Sequence, residues 1–505
     1  MGENAQFDLL IIGGGINGAG IARDAAGRGL SVLLVEKDDL AAATSSASSK
    51  LIHGGLRYLE QYEFRLVAEA LSEREVLLNI APHLVHPLNF VMPHVPELRP
   101  RWMIRAGLYL YDHLARRTRL PSSRGIDLRT SAYGSNLKPS FLKGFVYADC
   151  RVDDARLVVA NAMAARELGA QILTRTECVF AKRVANAWHA NLRSADGNTR
   201  EVTATALVNA AGPWVKQVLN ERLHQPSLDN VRLVKGSHIV VPQLYAGNHA
   251  YILQNDDRRV VFMIPYEQRY TLIGTTDIAM PENSSSPTAS DEEIAYLCRA
   301  ANRYLAQGIA PEHVVWSYAG VRPLYDDGTA DPSAITRDYT LRLDADADIA
   351  PVLSVFGGKI TTYRRLAEHA LEKLRGWFPA MRDAWTAGTA LPGGNLTASF
   401  EKFTEVELAD RYPWLAAEVR RALASRHGAY AGVILDGSHS MNELGMCFGA
   451  ELYAREVDYL IEQEWARTAE DILYRRTKAG LHLNKAQCGV LESYVATRIE
   501  KTERP

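Results

Sequence analysis

Residues 9–37, "LLIIGGGINGAGIARDAAGRGLSVLLVEK", decide how the N-terminal part of the chain folds. The run 7–12, apolar except for Asp8, is typical of a buried parallel strand, and a glycine-rich turn follows it. The alanine-rich run 20–28 has the composition of a helix, and residues 31–35 predict a second buried strand. Strand, helix and strand in this order form a βαβ unit.

Three glycines of this stretch, Gly13, Gly15 and Gly18, form the pattern G-x-G-x-x-G between the first strand and the helix. The first permits a tight turn, the second lets a pyrophosphate approach the backbone, and the third allows close packing of helix on strand. Glu36 follows Gly18 by 18 residues (36 − 18), where a carboxylate can bind a ribose diol and repels a 2′-phosphate. The pattern predicts NAD or FAD rather than NADP, against the alternative of a glycine turn without a ligand.

A second pattern, "VLSVFGGKITTYRRLAEHALEKL" at residues 352–374, bears on the choice between these dinucleotides. A glycine pair separates a strand from a helix for which Thr361 or Thr362 would be the N-cap. The positive end of this helix, with Lys359 at the same corner, suits the flavin edge that becomes negative on reduction. Periodicity alone predicts an ordinary strand–turn–helix of the core equally well.

The composition of the 505-residue chain is that of an ordinary globular protein, with 47% hydrophobic and 23% charged residues. The length predicts two or three domains. A net charge of −2 gives no global field that would favour nucleic acid, so no nucleic-acid partner is expected. The five cysteines form no C-x-x-C pair; we therefore expect no metal site, and the odd number fits a reducing compartment.

Membrane segments are not predicted. The N-terminal residues lack a signal-peptide pattern, and no apolar run approaches the roughly 20 residues of a spanning helix. Farther along, residues 231–274 are rich in β-branched and aromatic residues and predict several strands. A Pro-Gly-Gly sequence at 392–394 predicts a domain boundary, after which the pattern is mostly helical.

Nine stretches spread along the chain carry a resemblance to a known family. They are "IIGGGINGAGIARDAAGRGLSVLLVEK", "TSSASSKLIHGGLRYLEQYEFRLVAEAL", "VDDARLV", "LVNAAGPWVKQ", "VKGSHIVVP", "IGTTD", "YAGVRPL", "AITRDYTL" and "VFGGKITTYRRLAEHALEKL". In these stretches the chain resembles the FAD-dependent glycerol-3-phosphate dehydrogenases, and most closely the aerobic respiratory form of bacteria.

This resemblance implies an α/β plus α+β fold with three domains. They are a discontinuous Rossmann-like FAD-binding domain of the glutathione-reductase and D-amino-acid-oxidase type (1–82, 150–230 and 340–390), a β-rich substrate-binding or cap domain (83–149 and 231–339), and a helical C-terminal domain (391–505). The implied reaction oxidises sn-glycerol 3-phosphate to dihydroxyacetone phosphate by hydride transfer to N5 of non-covalently bound FAD. Electrons would then pass to ubiquinone or menaquinone. We expect a homodimer attached peripherally to the cytoplasmic side of the inner membrane.

The serine-rich run "SSASSKLIHGGLRYLE", residues 45–60, is interpreted as one wall of the cofactor site rather than as a linker. Small hydroxyls and exposed N–H groups can follow a pyrophosphate and ribityl chain, and a glycine pair lets backbone pass close to a ring. The predicted cofactor contacts are Gly13, Gly15, Ile16, Asn17, Gly18, Glu36, Lys37, Thr44, Ser45, Ser46, Ser48, Ser49, Lys50, Ile52, Gly54, Gly55, Leu56, Cys178, Val179, Ala211, Gly212, Trp214, Gly358, Lys359, Ile360 and Thr361.

The substrate carries a phosphate dianion, for which Arg322 in "GVRPL" and Arg337 in "ITRDY" are the predicted partners. The planar guanidinium fork suits phosphate, whereas an arginine chosen blindly is more often in a surface ion pair. Arg57, Tyr58 and Lys359 are predicted to line the same cavity. Tyr58 could instead begin the core face of the following helix.

The hydroxyl proton of the substrate needs an acceptor, and His53 and His238 are both predicted candidates because histidine titrates near neutral pH. The sequence does not decide between them. Arg322 or Lys359 could also stabilise a developing alkoxide and complete the predicted catalytic set.

Three hypotheses remain at the level of sequence. The first is a quinone-linked FAD dehydrogenase for glycerol 3-phosphate, and the second is an oxidase of the same substrate, which would release hydrogen peroxide. The third is a flavoprotein that modifies tRNA or merely binds FAD, which would lack this chemistry. Residues 97–120 combine six arginines with aromatic and aliphatic residues, which predicts either a bilayer-surface segment or a buried helix with basic ends.

Overall fold

The computed structural model describes residues 5–503 except 96, 98, 116–118, 226–229, 258, 282–286, 327–337 and 346–348. Arg337, Arg116 and Arg117 therefore lie outside the described residues. The strands are β1 (Ala5–Ile12), β2 (Val32–Val35), β3 (Leu51–Ile52), β4 (Val85–Pro93), β5 (Arg124–Asp127), β6 (Lys143–Val152), β7 (Gln171–Leu173), β8 (Thr176–Val184), β9 (Ala187–Ser194), β10 (Thr199–Asn209), β11 (Asn230–Pro242), β12 (His249–Gln254), β13 (Val260–Tyr266), β14 (Tyr270–Gly274), β15 (Ile278–Met280), β16 (Trp316–Asp326), β17 (Thr340–Asp344), β18 (Val352–Phe356), β19 (Cys447–Gly449) and β20 (Leu452–Tyr453). The α-helices are α1 (Ile16–Gly27), α2 (Phe64–Ile80), α3 (Arg101–His113), α4 (Asp154–Glu167), α5 (Val215–Gln217), α6 (Asp291–Asn302), α7 (Tyr363–Leu374), α8 (Phe400–Lys402), α9 (Leu408–Arg411), α10 (Ala417–His427), α11 (Ala431–Ile434), α12 (Ala454–Gln463) and α13 (Lys485–Glu503).

The first sheet contains the predicted βαβ unit, which is confirmed. Its strand order is β17-β18-β10-β1-β2-β7, parallel from β18 to β7, with β17 antiparallel at one edge and the β8–β9 hairpin joined to β10. Ile12 lies opposite Val35 on one side and Asn209 on the other, so these strands end at one edge. The turns that follow them meet there, as expected for a ligand site at the carboxyl edge of a parallel sheet. Residues 206–209 form the end of the long strand β10.

Helices α1, α4 and α7 cover one face of this sheet and bury an alanine-rich core with it. Alanine side chains such as Ala22 and Ala25 are fully buried, so the helices approach each other closely. Asp24 of α1 forms a fully buried ion pair with Arg28 one turn later.

The second sheet is mostly antiparallel, and it contains the strands that were predicted within residues 231–274. Its order is β15-β11-β14-β13-β12-β4-β6-β3, with β16 paired to β11 and β5 paired to β6. Helix α6 packs on one face, and α2 and α3 pack on the other. Strand β3 lies inside the predicted FAD-domain segment 1–82 but pairs with β6 of the second sheet. The cofactor segment between β2 and α2 therefore joins the two sheets.

The C-terminal part, from α8 to α13, is mostly helical and carries one short hairpin, β19–β20. Two apolar clusters form its interior. The predicted boundary at 392–394 coincides with a turn in which Gly393 has φ +82° and packs against the carbonyl of His427. The exact domain limits stay a prediction.

Helix α3 differs from the simple buried helix that was one of the two interpretations of residues 97–120. Ile104, Leu108 and Tyr111 are buried, whereas Trp102 is 70% and Tyr109 is 59% exposed. The helix thus buries one apolar face and presents further apolar side chains to solvent. The sequence could not show which face of α3 is buried, because both faces carry large apolar residues.

Candidate functional site

The turn between β1 and α1 accepts only glycine at two positions. Gly13 has φ +115°, and a Cβ there would lie 2.5 Å from the carbonyl oxygen of Ala210. A Cβ at Gly18 would lie 1.9 Å from the carbonyl oxygen of Gly13, because α1 passes directly over the turn. The first turn of α1 is thereby held against the end of β1, where its N–H groups and dipole favour an anion.

Two side chains bind backbone N–H groups of this turn. The Ile16 N–H donates to Oγ of Ser45 at 3.0 Å, and the Gly14 N–H donates to Oε2 of Glu36 at 2.7 Å. The other carboxylate oxygen of Glu36 accepts from the Asp38 N–H at 2.9 Å. Burial raises the pKa of Glu36 in spite of these donors. The carboxylate is therefore fixed at the end of β2, where the sequence predicts the ribose.

A cleft with about 1270 Å³ of empty space runs along this edge of the first sheet. It is lined by the following predicted cofactor contacts: Gly13, Gly15, Ile16, Asn17, Glu36, Lys37, Thr44, Ser45, Cys178, Ala211, Gly212, Trp214 and Gly358. Thr176, Gln217, Arg222 and Pro323 also line it and were not predicted, because no local pattern marks them. Burial raises the pKa of the Cys178 thiol to about 12, so the side chain is a neutral thiol at physiological pH.

The serine run is not a free linker, because one buried ion pair organises it. The Lys50 ammonium lies 2.9 Å from both carboxylate oxygens of Asp154 at the start of α4 and also donates to the Ser46 carbonyl. Ser48 donates its hydroxyl to the same carboxylate at 2.7 Å. Lys50 was predicted as a cofactor contact, but its side chain is committed to Asp154. A direct role for that side chain at the cofactor is not supported.

Close packing explains why the first residue of the glycine pair after the serine run, Gly54, is a glycine. The Gly54 N–H donates to the hydroxyl of Tyr111, which donates to Asp149, and Arg74 binds the same carboxylate. A Cβ at Gly54 would lie 2.5 Å from the side chain of Leu71, so backbone is pressed against α2 and α3. The segment between β3 and α2 is therefore fixed on the side that faces α2 and α3, and its opposite side is left for a ligand.

The predicted flavin corner, between β18 and α7, contains polar atoms that lack partners among the described residues. The Lys359 ammonium is buried without a hydrogen-bond acceptor and lies 4.0 Å from the ring centroid of Tyr58. The side-chain oxygen of Asn17 is also buried without a donor, while its nitrogen donates to the Gly357 carbonyl. Leaving such groups unpaired costs free energy, and the polar edge of an isoalloxazine ring would supply partners to both. The residues present thus fit FAD.

The start of α7 differs in detail from the prediction. Thr362 is the N-cap residue, but its side chain makes no capping bond. Thr361 instead accepts a hydrogen bond from the His53 N–H at 3.4 Å. This contact brings the end of the serine run to the flavin corner.

His238 lies in β11 and is almost fully buried. Its Nε2 is 2.9 Å from Oγ of Ser49, its ring stacks on Tyr318, and its Nδ1 has no partner among the described residues. Burial, with the nearby charges of Lys50 and Arg322, lowers the pKa of His238 to about 3. The imidazole is therefore neutral at physiological pH, and in this state it is a weak base.

Arg322 projects from β16, the neighbour of β11, over Gly236. A Cβ at Gly236 would lie 3.1 Å from its terminal nitrogen, so the glycine makes room for the guanidinium. The same nitrogen donates to the Thr276 carbonyl at 3.1 Å and to the Asp277 carboxylate. Arg322 is thus half-buried and held from one side, and its remaining N–H groups are available to an oxyanion.

The other predicted residues are spread over both sheets and the turn between β3 and α2. Ile52 lies in β3, Gly55 and Leu56 begin the 3₁₀ turn Leu56–Gln61 that also holds Arg57 and Tyr58, and Val179 lies in β8. The ring of His53 packs edge-on to Phe262 of the second sheet. The structure therefore assembles His53, Tyr58, Lys359 and Thr361 at one corner, with Ile360 between the last two. No group of side chains suited to a metal ion occurs among the described residues.

Comparison with known proteins extends these observations. Residues 8–364 match the family model described as FAD dependent oxidoreductase, and residues 384–499 match the C-terminal domain of alpha-glycerophosphate oxidase. The chain is 55% identical to a glycerol-3-phosphate dehydrogenase of Pseudomonas aeruginosa, over 99% of this chain and 96% of that protein. It is 52% identical to a D-erythritol 1-phosphate dehydrogenase of Brucella abortus, over 96% and 97% of the two chains. It is 50% identical to the aerobic glycerol-3-phosphate dehydrogenase of Escherichia coli, over 95% of each chain.

Two solved structures, both of FAD-bound enzymes, are similar to this chain along most of their length. A glycerol-3-phosphate dehydrogenase from Bacillus halodurans complexed with FAD superposes with a TM-score of 0.74 and 26% identity, over 98% of this chain and 95% of the other. The L-alpha-glycerophosphate oxidase of Mycoplasma pneumoniae, also with FAD bound, gives a TM-score of 0.61 at 16% identity over 77% and 99% of the chains, and shows a shared fold.

Proposed function

The chain belongs to the FAD-dependent oxidoreductases and, within them, to the glycerol-3-phosphate dehydrogenase family; from this premise we propose that it oxidises sn-glycerol 3-phosphate to dihydroxyacetone phosphate. The observation that carries the proposal is the 55% identity to the Pseudomonas enzyme over 99% of the chain. FAD is the cofactor, and when bound it would supply an acceptor at N5 for a hydride from C2 of the substrate.

The phosphate of the substrate would bind the N–H groups of Arg322 that are left beside those donated, among the described residues, to Thr276 and Asp277. Arg337 is proposed as a second cation for the same phosphate, and it lies outside the described residues. Lys359, whose ammonium has no hydrogen-bond acceptor among the described residues, is proposed to stabilise negative charge on the substrate oxygen. Arg57 and Tyr58 would close the cavity from the 3₁₀ turn.

The C2 hydroxyl must lose a proton when its hydride leaves, and both histidines remain candidates for this step. The low pKa of His238 favours a positioning role, because a base with a pKa of about 3 holds protons poorly at neutral pH. A bound phosphate dianion would offset the charges of Lys50 and Arg322 and thus raise that pKa. The pH dependence of flavin reduction in His53→Asn and His238→Asn variants separates the two roles.

The acceptor of the electrons is proposed to be a membrane quinone, ubiquinone or menaquinone. An oxidase that uses oxygen is the second candidate, because residues 384–499 match the C-terminal domain of an oxidase. In anaerobic stopped-flow mixing, glycerol 3-phosphate should bleach the visible flavin band within the turnover time. Absence of bleaching would reject both candidates, and reoxidation by a soluble quinone faster than by oxygen favours the dehydrogenase.

The length of the polyol is a further question, because one close relative bears the name D-erythritol 1-phosphate dehydrogenase. We propose glycerol 3-phosphate as the preferred substrate, since two of the three relatives compared above carry that name. A side-by-side comparison of kcat/KM for the two phosphates tests the preference. A higher value for erythritol 1-phosphate would overturn it.

Peripheral attachment to the cytoplasmic face of the inner membrane is proposed from the exposed apolar side of α3. Trp102, Met103, Tyr109 and Leu110 are exposed there, and Tyr62, which is 80% exposed, follows the 3₁₀ turn on which α3 packs. Arginines beside them suit an anionic surface. No helix among the described residues has the length and apolar character needed to cross a bilayer.

A liposome assay tests this surface. The double substitution Trp102→Glu with Tyr62→Glu should reduce co-sedimentation with anionic vesicles, whereas Val406→Glu, an exposed apolar position of the C-terminal part, should not. Equal loss in both variants would contradict the assignment.

Charge reversal at Arg116 and Arg117 tests the basic end of the same segment, which lies outside the described residues. The proposed homodimer is tested by light scattering in detergent.

A further inference from the structure

A buried carboxylate on α6 joins the strand that carries His238 to the turn that holds Arg322. Glu293 is 3% exposed, and its Oε1 accepts hydrogen bonds from the hydroxyls of Ser237 at 2.7 Å and Thr276 at 2.8 Å. Its Oε2 lies 2.7 Å from the ammonium of Lys235. One side chain therefore contacts β11 twice and the turn after β14 once.

These contacts continue to the guanidinium of Arg322. The hydroxyl of Thr276 donates to Glu293 and accepts from the Ser237 N–H at 2.9 Å, so both functions of the hydroxyl are used. The carbonyl of the same threonine accepts from Arg322 at 3.1 Å. Because the threonine is fixed at its side chain, its carbonyl has a fixed direction, and the next residue, Asp277, binds the same nitrogen of Arg322.

The same carboxylate also acts on the other side of the site. Ser237, which donates to Glu293, directly precedes His238, and the stacking of that imidazole on Tyr318 depends on the course of β11. Lys235, the third contact of Glu293, lies opposite Val321, the neighbour of Arg322. The groups that would bind the phosphate and the groups near the hydroxyl thus share one anchor.

The charge state of Glu293 suits this role. Burial alone would raise its pKa, but the Lys235 ammonium, the Ser290 N–H and the two hydroxyls together lower it below the ordinary value. The carboxylate is therefore ionised at neutral pH and accepts all of these bonds. A neutral amide could not do so, because one of its two heads is a donor.

We propose that Glu293 is a positioning residue for substrate binding, which sets the direction of the Arg322 guanidinium through Thr276 and Asp277. This inference rests on the proposed function, in that Arg322 is taken as the phosphate ligand. It goes beyond that function because Glu293 belongs to no stretch from which the function was inferred and is not among the described residues that line the cofactor cleft.

The alternative is a purely structural role, because Glu293 also forms a capping box with Ser290 at the start of α6. The Ser290 hydroxyl accepts from the Glu293 N–H, and the Glu293 carboxylate accepts from the Ser290 N–H. Ser290→Ala removes half of this cap and leaves the contacts to Ser237 and Thr276. It is therefore a matched control for the stability of α6, and an N-cap loss of this kind costs about 1 kcal/mol.

The experiment uses the FAD-loaded full-length enzyme. Glu293→Gln should raise the KM for glycerol 3-phosphate about tenfold, with unchanged FAD content and a smaller effect on kcat. Ser290→Ala should lower the melting temperature and leave KM unchanged. Glu293→Asp, which keeps the charge on a shorter side chain, should lie between wild type and Glu293→Gln.

A double-mutant cycle gives the decisive result. In an Arg322→Ala background, Glu293→Gln should cause no further rise in KM, because the group that it positions has been removed. An equal tenfold rise in that background, or an equal rise in KM for Ser290→Ala, would overturn the proposal. Calorimetric affinity for inorganic phosphate should follow the same order of variants. That readout does not depend on which polyol phosphate is oxidised, so failure of the proposed function would be distinguished from failure of this inference.

Discussion

At the adenine end of the cleft, Gly13, Gly18 and Glu36 fall within 24 residues (36 − 13 + 1) of one βαβ unit, which packs on Ala210 after β10. At the substrate end, His53, His238, Arg322 and Lys359 come from four separate segments and both sheets. At the first end, the backbone leaves no room for a side chain at Gly13 or Gly18. The second consists of polar side chains that depend on buried partners elsewhere in the fold.

This difference predicts how each end fails. Steric substitution at the adenine end should remove the cofactor, because the turn has no room to adjust. Substitution at the substrate end should leave FAD bound and change substrate binding, stability or proton transfer, because the partners there are distributed.

Gly18→Val should have the largest effect. Its Cβ would lie 1.9 Å from the carbonyl oxygen of Gly13, and backbone cannot yield as a flexible side chain can. We expect nearly complete loss of bound FAD, measured by the ratio of flavin to protein absorbance after gel filtration. Gly107→Ala is the control, because its Cβ would meet nothing within 4 Å. Retention of FAD by Gly18→Val would contradict the steric account of the adenine end.

Asp154→Asn should have the next largest effect, because it leaves the Lys50 ammonium buried without its counter-ion. Breaking such a pair from one side costs about 3–5 kcal/mol of the free energy of unfolding. Urea denaturation of the holoenzyme measures this cost, and Asp196→Asn at an exposed turn is the control. A loss below about 1 kcal/mol would show that the serine run does not depend on this ion pair.

The contrast between the two ends also explains how far the sequence could be interpreted. The glycine spacing, the strand pattern of residues 231–274 and the helix after residue 360 are local signals, and the structure confirms the elements that they predict. The ion pair of Lys50 with Asp154, 104 residues apart, and the anchor of Gly54 on Tyr111, 57 residues apart, are products of the tertiary fold. Contacts between residues so far apart in the sequence produce no periodic pattern from which they could be predicted.

The same limit applies to side-chain roles at the substrate end. His238 was predicted from its motif as a candidate base, but only its burial shows why its pKa is low. Glu293 was not predicted at all, because nothing in "SDEEIAYL" distinguishes a capping glutamate from one that reaches a second strand. The signal that could have identified it was the pair of hydroxyl residues, Ser237 and Thr276, within two of the recognised motifs.

Arg322→Ala tests whether the substrate end is independent of the adenine end. We expect a fall in kcat/KM of roughly 100-fold, or about 3 kcal/mol, mostly through KM, because a charged hydrogen-bonding partner of the phosphate is lost. FAD content should be unchanged, since Arg322 does not line the described part of the cofactor cleft. Arg322→Lys should recover part of the loss. Loss of FAD from Arg322→Ala would place the residue at the cofactor instead.

The smallest expected effect concerns the pH dependence that His238 gives to stability. Its pKa is lowered from 6.5 to about 3, so between these values the unfolded chain binds a proton that the folded chain does not. The free energy of unfolding therefore falls as the pH falls, by about 2 kcal/mol between pH 7 and pH 5 for this group alone. His83, His86 and His249 have lowered pKa values for the same reason, burial, and add slopes of the same sign. The test therefore compares the variant with wild type in urea titrations with saturating FAD. Between pH 7 and pH 5, the free energy of unfolding of His238→Asn should fall by about 2 kcal/mol less than that of wild type. Equal losses in the two proteins would mean that His238 takes up its proton in the folded state, and it would then be the stronger candidate for the base.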